Sequence, residues 1–73
     1  MSIYIFRAQK MIDRVKNEGR ENMLDKETLD TIYSLDGKTG NDYNWASVVN
    51  GENLVWIEDA KMYVNKNDCD YSI

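Results

Sequence analysis

The sequence predicts an α+β fold in which an N-terminal amphipathic helix packs on a small antiparallel sheet of three to four strands. Apolar residues recur at helical spacing near the N-terminus, and β-rich runs flank an Asn50-Gly51 turn further along the chain. The length of 73 residues allows one domain, because separate hydrophobic cores are rare in so short a chain. We therefore expect a single domain over residues 1–73.

The first predicted element is a helix over about residues 6–18. Gly19 is a typical residue at the end of a helix. Residues 3–6 are β-rich enough to form a short strand before the helix. The apolar stripe recurs at spacings of three and four residues and comprises Ile5, Ala8, Ile12 and Val15.

Residues 25–35 fit two structures. Asp25 as an N-cap, followed by Leu29 and Ile32 at helical spacing, suits a second helix. The same stretch also alternates as a strand would, and its Thr, Ile and Tyr residues fit a strand better than a helix. The sequence thus slightly favours a β meander over about residues 28–64. Two helices followed by a three-stranded meander is the alternative.

The clearest β signal is a hairpin between residues 43–49 and 54–57, because Asn-Gly is a strong hairpin turn. Its register stays open. A two-residue loop would place Trp45 across from Trp56, whereas a four-residue loop would pair Val48 with Val55. The remaining predicted segments are a turn over residues 36–42, a short turn over 58–60, a strand over 61–64 and a frayed polar tail over 65–73.

The order of turn, aromatic strand, hairpin and last strand over residues 35–64 resembles a small barrel of the Src-homology kind. The resemblance concerns architecture in about 30 residues. It implies no function, because one fold carries many functions.

Negative charge is unevenly distributed along the chain. Acids and bases cancel in residues 1–35, so the whole net charge of −4 lies in residues 36–73. Binding to nucleic acid depends on Lys and Arg side chains that release counterions from phosphates. The acidic half should therefore repel phosphates and attract a partner with a basic surface.

Aromatic residues make up 11% of the chain, more than a thin core of this size is expected to bury. Tyrosine and tryptophan on an acid-rimmed surface are typical of protein-binding hot spots. We therefore hypothesise a small acidic module that binds, and inhibits, a larger basic-surfaced protein such as a nucleic-acid enzyme. Small phage-encoded inhibitors, whose carboxylates imitate phosphates, work in this way. The predicted partner-binding residues are Tyr43, Glu52, Glu58, Asp59 and Tyr63.

Two other function classes stay open as alternatives. Arg7, Lys10 and Arg14 share one helix face and could contact a nucleic-acid backbone, although nearby acids and an isoelectric point near 4.6 disfavour this. Alternatively, the exposed aromatic residues could meet their own copies in a homo-oligomeric structural component.

Composition disfavours most catalytic chemistry. The chain has no histidine and one cysteine, so it lacks the ligands for a zinc or iron site, and we expect no metal and no cofactor. Glu58-Asp59 is the only obvious carboxylate pair, and adjacent acids in a turn usually point apart, so we do not expect an enzyme. The sequence shows neither a membrane span nor a signal peptide, and we expect a cytoplasmic protein.

Overall fold

A computed structural model of the chain describes residues 3–43 and 54–72. Within these ranges the chain folds into two α-helices, five β-strands and two short 3₁₀ turns, which confirms the α+β class. In chain order these are strand β1 (Ile3–Phe6), helix α1 (Ala8–Asn17), a first 3₁₀ turn (Glu21–Met23), helix α2 (Lys26–Leu35), strand β2 (Thr39–Tyr43), strand β3 (Leu54–Ile57), strand β4 (Met62–Asn65), a second 3₁₀ turn (Lys66–Asp68) and strand β5 (Cys69–Ser72).

The strands form one antiparallel sheet in the order β4-β3-β2-β1-β5. Strands β4 and β5 lie at opposite edges, yet only the second 3₁₀ turn joins them. Edges of a flat five-stranded sheet would lie about 19 Å apart, whereas the chain from Asn65 to Cys69 reaches about 14 Å at most. The sheet must therefore curl. Among the described strands β4 and β5 do not pair with each other, so a closed Src-homology barrel is not confirmed.

One face of the sheet forms the core with both helices. Because side chains alternate along a strand, Phe6, Val55 and Ile57 point to the same face, and each is 0% exposed. The helices cover this inner face with Ile12, Ile32 and Leu35. The opposite, outer face carries the alternate residues of the strands, among them Ile3, Leu54 and Trp56.

The N-terminal strand and helix fall where the sequence places them. Helix α1 lies within the predicted range of about residues 6–18 and buries Ala8, Ile12 and Val15. It begins two residues late, because Phe6 belongs to β1 and pairs with Cys69 of β5. Gly19 follows the helix with a φ of +73°, the left-handed conformation that glycine adopts without strain.

The favoured strand over residues 28–35 is wrong, because this stretch forms helix α2. The Asp25 carboxylate accepts a hydrogen bond from the Thr28 backbone N–H at 2.8 Å and caps the first turn. Ile32 and Leu35 lie one helical turn apart and both enter the core. Capping and apolar spacing thus outweigh the weak β preference of individual residues.

The predicted turn over residues 36–42 is too long, since β2 begins at Thr39. Gly40 lies inside this strand because of close packing: an added Cβ would meet the Trp56 carbonyl oxygen at 2.6 Å. Tyr43 pairs with Leu54, so neither predicted hairpin register is right for β3. The rest of the predicted first hairpin strand and its Asn50-Gly51 turn lie outside the described residues.

Residues 58–61 form the predicted short turn, and β4 confirms the strand predicted over residues 61–64. The prediction of a frayed tail over residues 65–73 is wrong for its described part, residues 65–72. This segment forms the second 3₁₀ turn and β5, which pairs with β1 along four residue pairs. The polar composition of this segment reflects ion pairs with α1 rather than contact with solvent alone.

Candidate protein-binding surface

Three basic side chains, the N-cap residue Arg7 with Lys10 and Arg14 of α1, contact acids of the C-terminal segment. Arg7 and Lys10 both contact Asp70, each with a nitrogen to oxygen distance of 2.8 Å. These two cations, Lys10 foremost, lower the pKa of the Asp70 carboxyl below its usual value. Two of the three residues of the predicted nucleic-acid surface thus already hold a carboxylate.

The third residue, Arg14, forms a two-pronged ion pair with Asp68. Its Nε lies 2.8 Å from Oδ1 and its Nη2 lies 2.9 Å from Oδ2. The Asp68 side chain is 1% exposed, and its hydrogen bonds raise the pKa of Arg14. Glu18 adds a second contact one helical turn away. Arg14 therefore fastens the second 3₁₀ turn to α1.

Two further acids of the C-terminal half are paired with lysines of the same half. Lys66 lies 3.0 Å from Asp42 and 5.3 Å from the centre of the Tyr4 ring, and Asp42 raises the pKa of its ammonium group. Glu58 binds Lys61 and accepts a hydrogen bond from the Trp56 indole N–H at 2.6 Å. Both contacts, Lys61 foremost, lower the pKa of Glu58.

These ion pairs neutralise most of the described acids in residues 36–73, the segment that carries the formal net charge. Within residues 3–43 and 54–72, the bases outside ion pairs are Lys16, Lys26 and Lys38. The acids outside ion pairs are Asp13, Glu21, Asp25, Glu27, Asp30, Asp36 and Asp59. Five of these seven acids, all except Asp36 and Asp59, lie in residues 1–35, where the formal charges cancel.

The outer face of the sheet carries an aromatic pair. Trp56 and Tyr63 occupy paired positions on β3 and β4, and their ring centroids are 4.6 Å apart. Beside Trp56 lies a shallow cleft of about 150 Å³, which Ile3, Glu58 and Asp59 also line. Ile3 is 42% exposed and Tyr63 is 43% exposed. Apolar, aromatic and acidic groups thus meet on a face that carries no helix among the described residues.

The structure brings together three of the five predicted partner-binding residues, Glu58, Asp59 and Tyr63, around Trp56. Tyr43 lies in β2, and its side chain and Glu52 lie outside the described residues. Sequence reasoning missed Trp56 and Ile3 as members of this surface. The signal was the alternation of β3, in which the buried Val55 and Ile57 leave Trp56 on the opposite face.

A groove runs between α2 and β4, with a volume of about 370 Å³. Ile32, Leu35 and Val64 form its apolar floor, and Tyr63 lines it as well. Tyr63 therefore belongs both to this groove and to the aromatic pair of the outer face.

The chemistry of Cys69 is that of a buried thiol. Its side chain belongs to the core, and its Sγ lies 3.7 Å from the Asn65 carbonyl oxygen. Burial raises the pKa of the thiol to about 11, which keeps it protonated and weakly nucleophilic at neutral pH.

Residues 3–43 and 54–72 contain no candidate metal site and no membrane-spanning helix. No group of three or more side chains that could hold a metal ion occurs in these ranges. None of the helices there is long and apolar enough to span a bilayer.

The described residues thus form a small α+β domain with a sheet face that none of their helices covers and a groove beside β4. Comparison with protein-family models, curated proteins and solved structures finds no significant match to this chain.

Proposed function

We propose that this protein is a small interaction module that binds a larger protein through the outer face of its sheet. The Trp56–Tyr63 pair carries the proposal, because adjacent aromatic side chains on a sheet face that no helix covers among the described residues are typical interface anchors. The cleft beside Trp56 adds the carboxylates of Glu58 and Asp59 at the rim.

The charge of the module favours a partner with a basic surface. The net charge is −4, and the uncompensated acids outnumber the uncompensated bases among the described residues. Such a field speeds encounters with a basic protein and slows those with an acidic one. A nucleic-acid enzyme with a basic groove fits this requirement, and binding there would inhibit it by occupying the groove.

The ion pairs of the C-terminal half limit how closely the module can imitate phosphates. Asp68 and Asp70 face Arg14, Arg7 and Lys10 within the molecule, so they cannot also satisfy a partner's cations without breaking those contacts. We therefore assign the aromatic pair the anchoring role and the acids a steering role.

The test is quantitative affinity capture from a host lysate at low and high salt, with mass spectrometry. The wild type is compared with a double charge reversal, Glu58→Lys with Asp59→Lys, and with Trp56→Ala. A second double reversal, Asp13→Lys with Glu21→Lys, changes the net charge equally but at exposed sites away from the outer face.

We expect one basic partner that the wild type and the Asp13/Glu21 variant retain. The Trp56 and Glu58/Asp59 variants should lose this partner, and high salt should weaken its retention. A partner that all four proteins retain equally would contradict the proposal, as would the absence of any stable partner.

A further inference from the structure

The groove between α2 and β4 has the size and lining of a preformed binding site. Its volume of about 370 Å³ lies within the roughly 300–1,000 Å³ typical of pockets that enclose a ligand or an anchoring side chain. The floor is already fixed, because Ile32, Leu35 and Val64 are each less than 10% exposed and belong to the core. The site would therefore need little rearrangement to accept an apolar group.

The charged side chains that line the groove leave one negative charge uncompensated. They are Arg14, Glu27 and Asp68. Arg14 and Asp68 bind each other through two short contacts, so their charges cancel. Glu27 is exposed and forms no ion pair within residues 3–43 and 54–72. A cation would be favoured beside Glu27, whereas an anion would be repelled.

The rim of the groove has the composition of a protein interface. Met62 is 42% exposed and Tyr63 is 43% exposed, and both line the groove. Methionine and tyrosine are enriched where proteins meet. Tyr63 also contacts the Trp56 ring, so this residue borders both the groove and the outer face of the sheet.

We infer that the groove receives an apolar anchor side chain of the partner protein, flanked in the partner by a lysine or arginine that faces Glu27. This inference rests on the proposed function and deepens it, because it gives the interface a second contact of defined chemistry. The anchor replaces water over the apolar floor, and the flanking cation compensates Glu27.

The test uses NMR titration of the ¹⁵N-labelled full chain with three capped tripeptides. They are acetyl-Lys-Phe-Lys-amide, its charge-reversed form acetyl-Glu-Phe-Glu-amide, and acetyl-Lys-Ala-Lys-amide, which lacks the anchor. We expect the first peptide to shift the amide resonances of Thr28, Thr31, Val64 and Asn65 in a saturable manner. The other two peptides should bind at least about threefold more weakly, as the loss of one surface charge contact or of an apolar anchor predicts.

Matched variants separate the groove from general effects of charge or size. Glu27→Gln should weaken the first peptide about threefold, whereas Asp30→Asn on the same helix should not, because Asp30 does not line the groove. Thr31→Trp should fill the groove and abolish binding. Ser34→Trp places the same side chain on α2 outside the groove and should leave binding intact.

Several results would overturn the inference. These are no saturable shift with any peptide, equal binding of the Lys and Glu peptides, or shifts that map away from α2 and β4. Groove resonances that change with protein concentration alone would place a second copy of this chain there instead. Shifts confined to Trp56, Glu58 and Asp59 would reject the groove while leaving the proposed outer-face function standing. If the peptides bind the groove as expected but the lysate experiment fails, only the proposed role of the outer face is rejected.

Discussion

Replacing Asp68 by asparagine should destabilise the fold, because Asp68 is the buried partner of Arg14. Removing one member of a buried ion pair costs about 3–5 kcal/mol. Here Asp68 is 1% exposed, but the Arg14 side chain is 29% exposed and also contacts Glu18. Water and Glu18 would partly compensate Arg14, and the asparagine oxygen can still accept one of its hydrogen bonds. We therefore expect a loss of about 2 kcal/mol.

The assay is urea unfolding followed by circular dichroism, with Asp59→Asn as the control. Asp59 is exposed and forms no ion pair in the described chain, so its substitution should change the free energy of unfolding by less than about 0.5 kcal/mol. A double-mutant cycle with Arg14→Gln should give a coupling energy above about 1 kcal/mol. The reasoning is refuted if Asp68→Asn matches the control, or if the cycle shows no coupling.

Three further predictions concern other parts of the molecule. Gly40→Ala should lower the free energy of unfolding by about 2 kcal/mol or more, because its Cβ would lie 2.6 Å from both the Trp56 oxygen and a Val55 methyl carbon. The exposed neighbour variant Thr39→Ala should behave almost as wild type in the same urea titration. Folding lowers the pKa of Asp70, so its contribution to stability is present above the ordinary value of 3.8 and is lost as the pH falls through the lower folded-state value. The free energy of unfolding, measured between about pH 6 and about pH 2, should depend less on pH for Asp70→Asn than for the wild type. At pH 8 the native Cys69 thiol should react with a disulfide reagent about a hundredfold more slowly than in urea, since its pKa is raised from 9.0 to about 11. Equal rates in the two conditions would contradict its burial.

Local signals in the sequence predict some elements well. The apolar stripe of α1 and the short strand before it are visible because they depend on neighbours within one or two turns. In α2 the capping signal of Asp25 was also visible, but the β preference of Thr31 and Tyr33 obscured it. Contact of Ile32 with the core, which depends on the rest of the fold, decides between the two structures.

Long-range ion pairs explain what the sequence could not reveal. Asp68 and Asp70 look like a solvated acidic tail until α1 brings Arg14, Arg7 and Lys10 against them. A count of formal charge by segment therefore misplaces the excess, because it cannot show which opposite charges will meet. The candidate surface was only partly predictable for the same reason: Glu58, Asp59 and Tyr63 come together around a tryptophan whose face depends on the strand register.

The pairing of β1 with β5 has a consequence for synthesis of the chain. Ile3 pairs with Ser72, so β1 leaves the ribosome well before the strand with which it pairs. Until that strand emerges, the edge of β1 lacks β5, and Arg7, Lys10 and Arg14 lack Asp68 and Asp70. Contacts so distant in sequence form slowly. Nascent chains stalled after Ile57 should consequently remain sensitive to protease, and resistance should arise only once Ser72 has emerged from the exit tunnel.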